Sequence, residues 1–274
     1  MLVVGLIPAR GGSVRVRHKN RKPLAGTPLV VWSIEAAQQS GVCSEIVVST
    51  DDDEIAAVAS AAGATVDLRA SVLAADDAPD IGWVRAALVS RPVDCFLILR
   101  PTSPFRTAET IQRAWSWFVD QQPCDSLRAV EPARQHPGKM WYRRIAYLPD
   151  RAADGGPIGS AVIRERLLPV LPLTRPWAPS PSQAAIEVPW HSSPTQTLPQ
   201  VYVQNASLEI AWRHVALPPS LTVAGTHAEG TIAGEIVCPF FTIGWEGFDI
   251  NTPEDWATAE AYAETVRGRA SCVR

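Results

Sequence analysis

A short apolar strand that runs straight into a glycine-rich, cation-dense loop constrains this chain more than any other feature. Leu2-Val3-Val4-Gly5-Leu6-Ile7 enters the stretch Leu6 to Pro23, LIPARGGSVRVRHKNRKP, and an amphipathic helix pattern leaves it near Pro28. Between them lie Ala9, Gly11, Gly12 and Ser13 with the cations Arg10, Arg15, Arg17, Lys19, Arg21 and Lys22. A glycine-rich turn leaving a strand lets backbone N–H groups converge on an anion. Side-chain cations then add charge-assisted bonds to phosphate oxygens. The pattern predicts a loop that wraps a nucleoside triphosphate, with Arg10 and Lys19 neutralising it. A solvated basic loop is the plainer alternative, and it suits Arg15, Arg17 and Arg21 better than Arg10 at the strand's edge. The spacing is neither G-x-x-x-x-G-K-[ST] nor G-x-G-x-x-G.

The rest of the first half alternates strand and helix. A helix from Pro28 to Gln39 is closed by Ser40-Gly41, and EIVVST (Glu45 to Thr50) is a β-branched strand. Asp51 and Asp52 offer N-caps for a helix with Ile55, Val58, Ala59 and Ala62 on one face. Ala64 to Leu68 is a further strand, Ile81 to Val89 is helical, and Val93 to Leu99 is a nearly all-apolar strand. Thr107 caps a helix that puts Ile111, Ala114, Trp115 and Phe118 together. This rhythm predicts an α/β fold: a Rossmann-like, mostly parallel, doubly wound sheet. Ligands of such sheets sit beyond the carboxyl ends of the strands, where the basic loop, Ser49-Thr50-Asp51 and Arg100 to Pro104 would lie.

After Cys124 the rhythm breaks. Cys124 to Val130 and Met140 to Tyr147 read as strands, but Pro149 to Pro199 is rich in proline and predicts no regular element. Residues 140–200 are therefore expected as an inserted arm in a single domain of 1–274, either flexible, packed on a second subunit or covering the site. Regular structure is expected again at Gln200 to Trp212 and Thr231 to Val237, and a last helix starts with Thr252 as N-cap and Pro253 behind it.

Lys and Arg number 25 against 28 Asp and Glu, a net charge of −3, so the basic loop is local. That favours a small phosphate ligand and argues against a nucleic-acid partner. The five cysteines have no C-x-x-C spacing. They predict a reduced, cytoplasmic protein with neither disulfide nor cysteine-bound metal. The first apolar run is too short for a signal-peptide core or a membrane span. The ten tryptophans are expected in the core and at any subunit interface.

Two further stretches could carry chemistry. Asp249-Ile250-Asn251 stands at a strand-to-helix junction, where Asp249 could hold Mg²⁺ together with substrate phosphates. Helix-start chemistry explains Asp and Asn there equally well. Leu99 to Arg106 (LRPTSPFR) is a proline-stiffened loop that is either a plain turn before the next helix or one whose Arg100, Thr102 and Ser103 bond an anionic, hydroxyl-rich substrate.

Taken together, Ile7 to Leu29, Val47 to Ala56 (VVSTDDDEIA), Pro101 to Arg106 (PTSPFR) and Gly247 to Trp256 (GFDINTPEDW) resemble the acylneuraminate cytidylyltransferases, also called CMP-sialic acid synthetases. The resemblance runs from Met1 to about Trp141 and resumes from Gln200 to about Glu264. It implies an enzyme that joins CMP from CTP to an acidic nine-carbon sugar and releases pyrophosphate with Mg²⁺, as a homodimer built through the arm. By position, Arg10, Lys19 and Asn20 would contact CTP, along with the backbone of Ala9, Gly11, Gly12 and Ser13. Lys19 would assist catalysis, and Arg69 and Asp80 would lie near the base. Arg100, Thr102 and Ser103 would line the sugar side, Lys139 would reach the sugar carboxylate, and Asp249 would bind the metal. The chain departs from the family pattern at Val14, Arg15 and Arg17 in the loop, and at Asp80, Arg100 and Asn251. These departures leave open another anionic acceptor, such as a phosphonate, or a nucleotide-binding relative without catalysis.

Overall fold

Period-2 alternation in the first strand decides how the sheet is covered. Val3 and Ile7 pack on one face with the next helices, while Val4 and Leu6 pack on the other. In the computed structural model, which describes residues 1–151, 157–178, 180, 183–218 and 231–271, this strand is Val3–Pro8 (β1). It is followed by α1 (Leu29–Ser40), β2 (Glu45–Thr50), α2 (Asp53–Ala61), β3 (Thr65–Leu68), α3 (Asp80–Val89), β4 (Cys95–Ile98) and α4 (Ala108–Asp120). The sheet is completed by β5 (Ser126–Pro132), β6 (Tyr202–Trp212) and β7 (Val237–Phe241), and α5 (Pro253–Ser271) closes the chain.

The strand order is β7-β5-β6-β4-β1-β2-β3. β1 runs parallel to β2 and β4, β2 to β3 and β5 to β7, while β6 is antiparallel to β4. The fold is thus the mostly parallel α/β sheet that the sequence predicts. The winding reverses between β1 and β4, and the crevice beyond their carboxyl ends is where such sheets bind ligands. Helices α1, α2 and α4 cover one face through Ile34, Ile55, Ala59, Ile111 and Phe118. Helix α3 covers the other through Ile81, Trp83 and Val84. Burying each large apolar side chain contributes roughly 1.5–3 kcal/mol.

The helix ends follow local chemistry. Gly41 closes α1 at φ 65°, and Asp52 accepts from the Ile55 N–H at 2.9 Å. Thr107 and Thr110 form a reciprocal cap on α4. At α5, Thr252 accepts from the Asp255 N–H at 3.2 Å, and Asp255 accepts from the Asn251 and Thr252 N–H groups. The loop after β4 is anchored by Arg106, which is buried. Its guanidinium donates to Ser33 Oγ at 2.7 Å, to the Arg100 carbonyl at 3.3 Å and to the Ser207 carbonyl. Phe105 meets Tyr262 edge-on at 4.6 Å. The loop carrying Arg100 and Thr102 is therefore set by buried contacts on both sides.

Three expectations are corrected. Residues within Pro149–Pro199 do form regular structure: Trp141–Arg151 pairs antiparallel with Pro157–Pro169, and Thr174–Trp177 with Ile186–Pro189. Two-stranded ribbons have only edge strands, where proline costs no interior ladder bond. The late strand lies at Val237–Phe241 rather than Thr231 to Val237. Cys124 and Cys238 form a disulfide with their Cα atoms 6.3 Å apart, where unpaired thiols were expected. The parallel β5–β7 register, which sets Cys238 opposite Leu127, brings together cysteines 114 residues apart in sequence. Cys43 and Cys95 are free, and burial pushes the Cys43 thiol up to about 12. Cys272 lies outside the described residues.

The chain divides into two units: Met1–Glu131 with Gln204–Arg274, and Pro132–Val203. The second holds both ribbons. Among the described residues no helix is long and apolar enough to cross a membrane.

Candidate active site

The site is built where β1 ends. Pro8 and Ala9 leave the strand with the Ala9 N–H still bonded to the Ser49 carbonyl of β2 at 3.0 Å, which aims Arg10 over the switch point. The Gly11 N–H donates to Asp51 Oδ1 at 2.9 Å. Asp51 and Asp52 thus divide their work, one holding the loop and the other capping α2. A Cβ on Gly11 would stand 2.6 Å from Asp52 Oδ2 and 2.9 Å from Asp52 Cβ, whereas one on Gly12 would meet nothing within 4 Å. Gly11→Ala is therefore expected to displace the α2 cap and lower stability by about 1 kcal/mol. Gly12→Ala should melt like the parent, and equal melting temperatures for the two variants would contradict this reading.

The loop then folds back. Asn20, buried, donates its amide to the Arg10 carbonyl at 2.9 Å and accepts through its own carbonyl from the Val30 N–H. Lys19 Nζ donates to the Ile250 carbonyl at 2.9 Å, and the Ile250 N–H donates to the Thr102 carbonyl at 2.8 Å. Three stretches remote in sequence, the basic loop, PTSPFR and DIN, are thereby tied into one wall.

That wall bounds a cavity of about 550 Å³ whose lining includes Arg10, Ser13, Arg15, Lys19, Asn20 and Thr102. Arg69, Asp80, Trp83 and Arg100 line it as well. The volume suits a small-molecule ligand. Arg15 is exposed but belongs to the lining, while Arg21 pairs with Glu54 and Lys22 lies over the Trp256 ring, 4.1 Å from its centroid. Arg10 pairs with Asp76. Burial holds the Lys19 ammonium below its usual value, an effect that the negative charge of Asp249 opposes.

The Arg69 guanidinium lies over the Trp83 ring, 4.8 Å from its centroid, and donates through Nη2 to the Ser49 carbonyl at 3.1 Å. Asp80 accepts from Trp83 Nε1 at 2.7 Å and from Arg100 Nη2 at 2.6 Å. Burial works to raise the Asp80 carboxyl, but Arg100 and the two hydrogen bonds outweigh it and hold the group below its usual value. It remains an ionised acceptor.

Asp249 holds one oxygen, Oδ2, against the Asn251 amide at 2.6 Å. The other, Oδ1, is buried without a hydrogen-bond partner. An orphaned carboxylate oxygen fits a divalent cation. Among the described residues no cluster of three or more His, Cys, Asp or Glu could hold one alone. A cation here would need oxygens from a bound substrate, which is how Mg²⁺ is commonly held.

The cytidylyltransferase family model matches residues 4–136. Over that span the chain is similar to the cytidylyltransferases. Among curated relatives, the CMP-N,N'-diacetyllegionaminic acid synthase of Legionella pneumophila is 48% identical over 151 residues, covering 53% of this chain and 63% of that protein. The N-acylneuraminate cytidylyltransferase of Escherichia coli is 38% identical over 113 residues, covering 41% of this chain and 27% of that protein. The chain thus spans less than two thirds of the length of these curated relatives. A solved structure of a CMP:2-keto-3-deoxy-manno-octonic acid synthetase complexed with CTP superposes with a TM-score of 0.64 at 15% identity, covering 97% of this chain and 99% of that one. At that identity the match speaks for the fold.

In this fold the lining brings together Arg10, Ser13, Lys19, Asn20, Arg69, Asp80, Arg100 and Thr102. Gly11 carries the turn behind them and Ala9 is buried beneath it. Ser103 is fully buried with its hydroxyl unpartnered and stands outside the cavity lining. Lys139 belongs to the second unit, where Nζ donates to the His191 carbonyl at 2.9 Å and to the Ser193 carbonyl. Sequence reading missed Trp83, Asp76 and the buried acid Glu209. Only Glu209 left a trace, as a lone charge in the apolar run Leu208 to Ala211.

Proposed function

We propose that the chain is a CTP-dependent cytidylyltransferase that transfers CMP to an acidic sugar and releases pyrophosphate. The observation that carries this reading is the gathering of Arg10, Arg15, Lys19, Arg69, Asp80 and Trp83 in the lining of one cavity, with Asp249 close enough to Lys19 to act on its charge. The sugar's anomeric hydroxyl forms a bond to the α-phosphorus of CTP, the bond from that phosphorus to the bridging oxygen breaks, and the hydroxyl proton passes to solvent. Arg10, Arg15 and Lys19 hold the triphosphate, whose positioning and charge are most of what such a transfer needs. Asp249 would hold Mg²⁺ together with the triphosphate, and the ion would supply charge neutralisation for the leaving pyrophosphate. Asp80, kept ionised, accepts from the cytosine amino group.

Pyrophosphate release tests this, with CTP and UTP each offered N,N'-diacetyllegionaminic, N-acetylneuraminic and 3-deoxy-manno-octulosonic acids. Turnover with at least one acid and CTP is expected, with UTP slower by about a hundredfold or more, because a site built around a hydrogen bond rejects the analogue lacking it. Equal rates with the two nucleotides would remove Asp80 from base recognition. Silence with every acid would end the reading.

The lowered Lys19 value carries a pH dependence. Its charge is present below that value and lost as pH rises through it. The alkaline limb of kcat/KM for CTP is therefore expected below the ordinary lysine value, and the limb of kcat at higher pH, where bound triphosphate favours the ammonium. Lys19→Arg should remove the limb, and an unmoved limb in that variant would assign it to another group.

The Pro132–Val203 unit is read as the dimerisation arm. Trp141, Tyr142, Leu167, Trp177 and Ile186 are exposed on its ribbons, and apolar surface of this kind suits a partner. Sedimentation equilibrium should give a dimer at micromolar concentration, and a monomer would contradict the assignment.

A further inference from the structure

A chain of four alternating charges starts in the cavity lining, at Asp80 and Arg100, and runs behind it. Asp80 pairs with Arg100, Arg100 with Glu209, and Glu209 with Arg128. Glu209 is 4% exposed and sits on β6 opposite Ile98, two residues before Arg100. Its flanking residues Leu208 and Ile210 are buried apolar ones. Stability accounts poorly for such an arrangement. A buried ion pair is costly to desolvate, and replacing it with apolar groups of similar volume is often neutral or stabilising.

The geometry around Arg100 gives a better account. Both carboxylates fall on one nitrogen: Nη2 stands 2.6 Å from Asp80 Oδ2 and 2.7 Å from Glu209 Oε1. The Nε and Nη1 hydrogens have no partner among the described residues, and Arg100 lines the cavity beside Thr102. The guanidinium is pinned at one corner and leaves its other donors free. Because two acids and two arginines cancel, the ion chain itself is nearly neutral while Arg100 still offers donors to the cavity. A polyanion gains little there, whereas a singly charged carboxylate gains directional, charge-assisted bonds. The triphosphate has its own cations on the loop side.

Resting on the cytidylyltransferase reading above, we propose that Glu209, backed by Arg128, is a positioning residue that fixes Arg100 to receive the carboxylate of the acceptor sugar. Glu209 does not touch substrate in this account; it sets the orientation of the group that does.

The test uses Glu209→Gln and the double variant Glu209→Leu/Arg128→Met, which removes both buried charges together. Acceptor KM should rise about tenfold or more in each, the scale expected when a charge-assisted hydrogen bond to substrate is weakened. KM for CTP should stay near that of the parent, and the double variant should melt no lower than the parent. Calorimetric titration with the same three acids reads binding without turnover and should weaken in parallel. Unchanged acceptor KM and binding in both variants would overturn the proposal. So would equal rises in KM for acceptor and CTP. A double variant melting well below the parent would make the ion chain a structural staple and overturn it too. A parent that binds these acids but releases no pyrophosphate would sink the cytidylyltransferase reading, and the binding titrations would still decide the role of Glu209.

Discussion

Lys19→Ala is expected to lower turnover by about a hundredfold, close to 2.7 kcal/mol of barrier. The ammonium is partly buried, within 2.9 Å of the Ile250 carbonyl, and faces the charge of Asp249. It sits where the loop after β1 meets the residues preceding α5. Arg10 is paired with Asp76 and Arg15 is exposed, so neither stands where the partly buried Lys19 does beside Asp249. Since burial already disfavours the ammonium, its removal should cost the fold little. Lys19→Met, which keeps the stem, should show the same loss of turnover with the parent's melting temperature. Near-normal pyrophosphate release in either variant would take Lys19 out of the mechanism.

The second large effect is expected from Asp249→Asn. The change is isosteric and keeps an oxygen that can accept from the Asn251 amide, now at 2.6 Å. The capping at α5 belongs to Thr252 and Asp255, so the helix start should survive. What disappears is the negative charge on a buried oxygen that has no hydrogen-bond partner. Turnover at fixed Mg²⁺ should fall by about a hundredfold or more, as removal of a charge-stabilising group does. The Mg²⁺ requirement should move to higher concentration. An Mg²⁺ titration identical to the parent's would show that the cation is held elsewhere, leaving Asp249 as a residue suited only to its strand-to-helix junction.

The first half of the fold was legible because its signals are local. Apolar runs such as VVGLI and CFLI reveal β1 and β4, Asp52 and Thr107 cap their helices, and Gly41 stops α1. The basic loop could be read from the sequence for the same reason, since glycines, cations and the strand before them are contiguous. The proline-rich arm was not, because proline signals the absence of interior strands and says little about two-stranded ribbons. The Cys124–Cys238 pairing and the Asp80–Arg100–Glu209–Arg128 chain depend on which strands become neighbours. That order follows from β6 inserting antiparallel between β4 and β5, far from either in sequence. Ser103 shows the converse: the motif that suggested a ligand contact is also the one that buries its hydroxyl.

The most direct measurement follows the α-phosphorus itself. CTP labelled at that atom is incubated with the protein, Mg²⁺ and each acidic sugar, and the products are separated. The account predicts label in a CMP-sugar conjugate, with unlabelled pyrophosphate formed in equal amount. Label recovered only in CTP, or released as free CMP without conjugate for every acid, would contradict it.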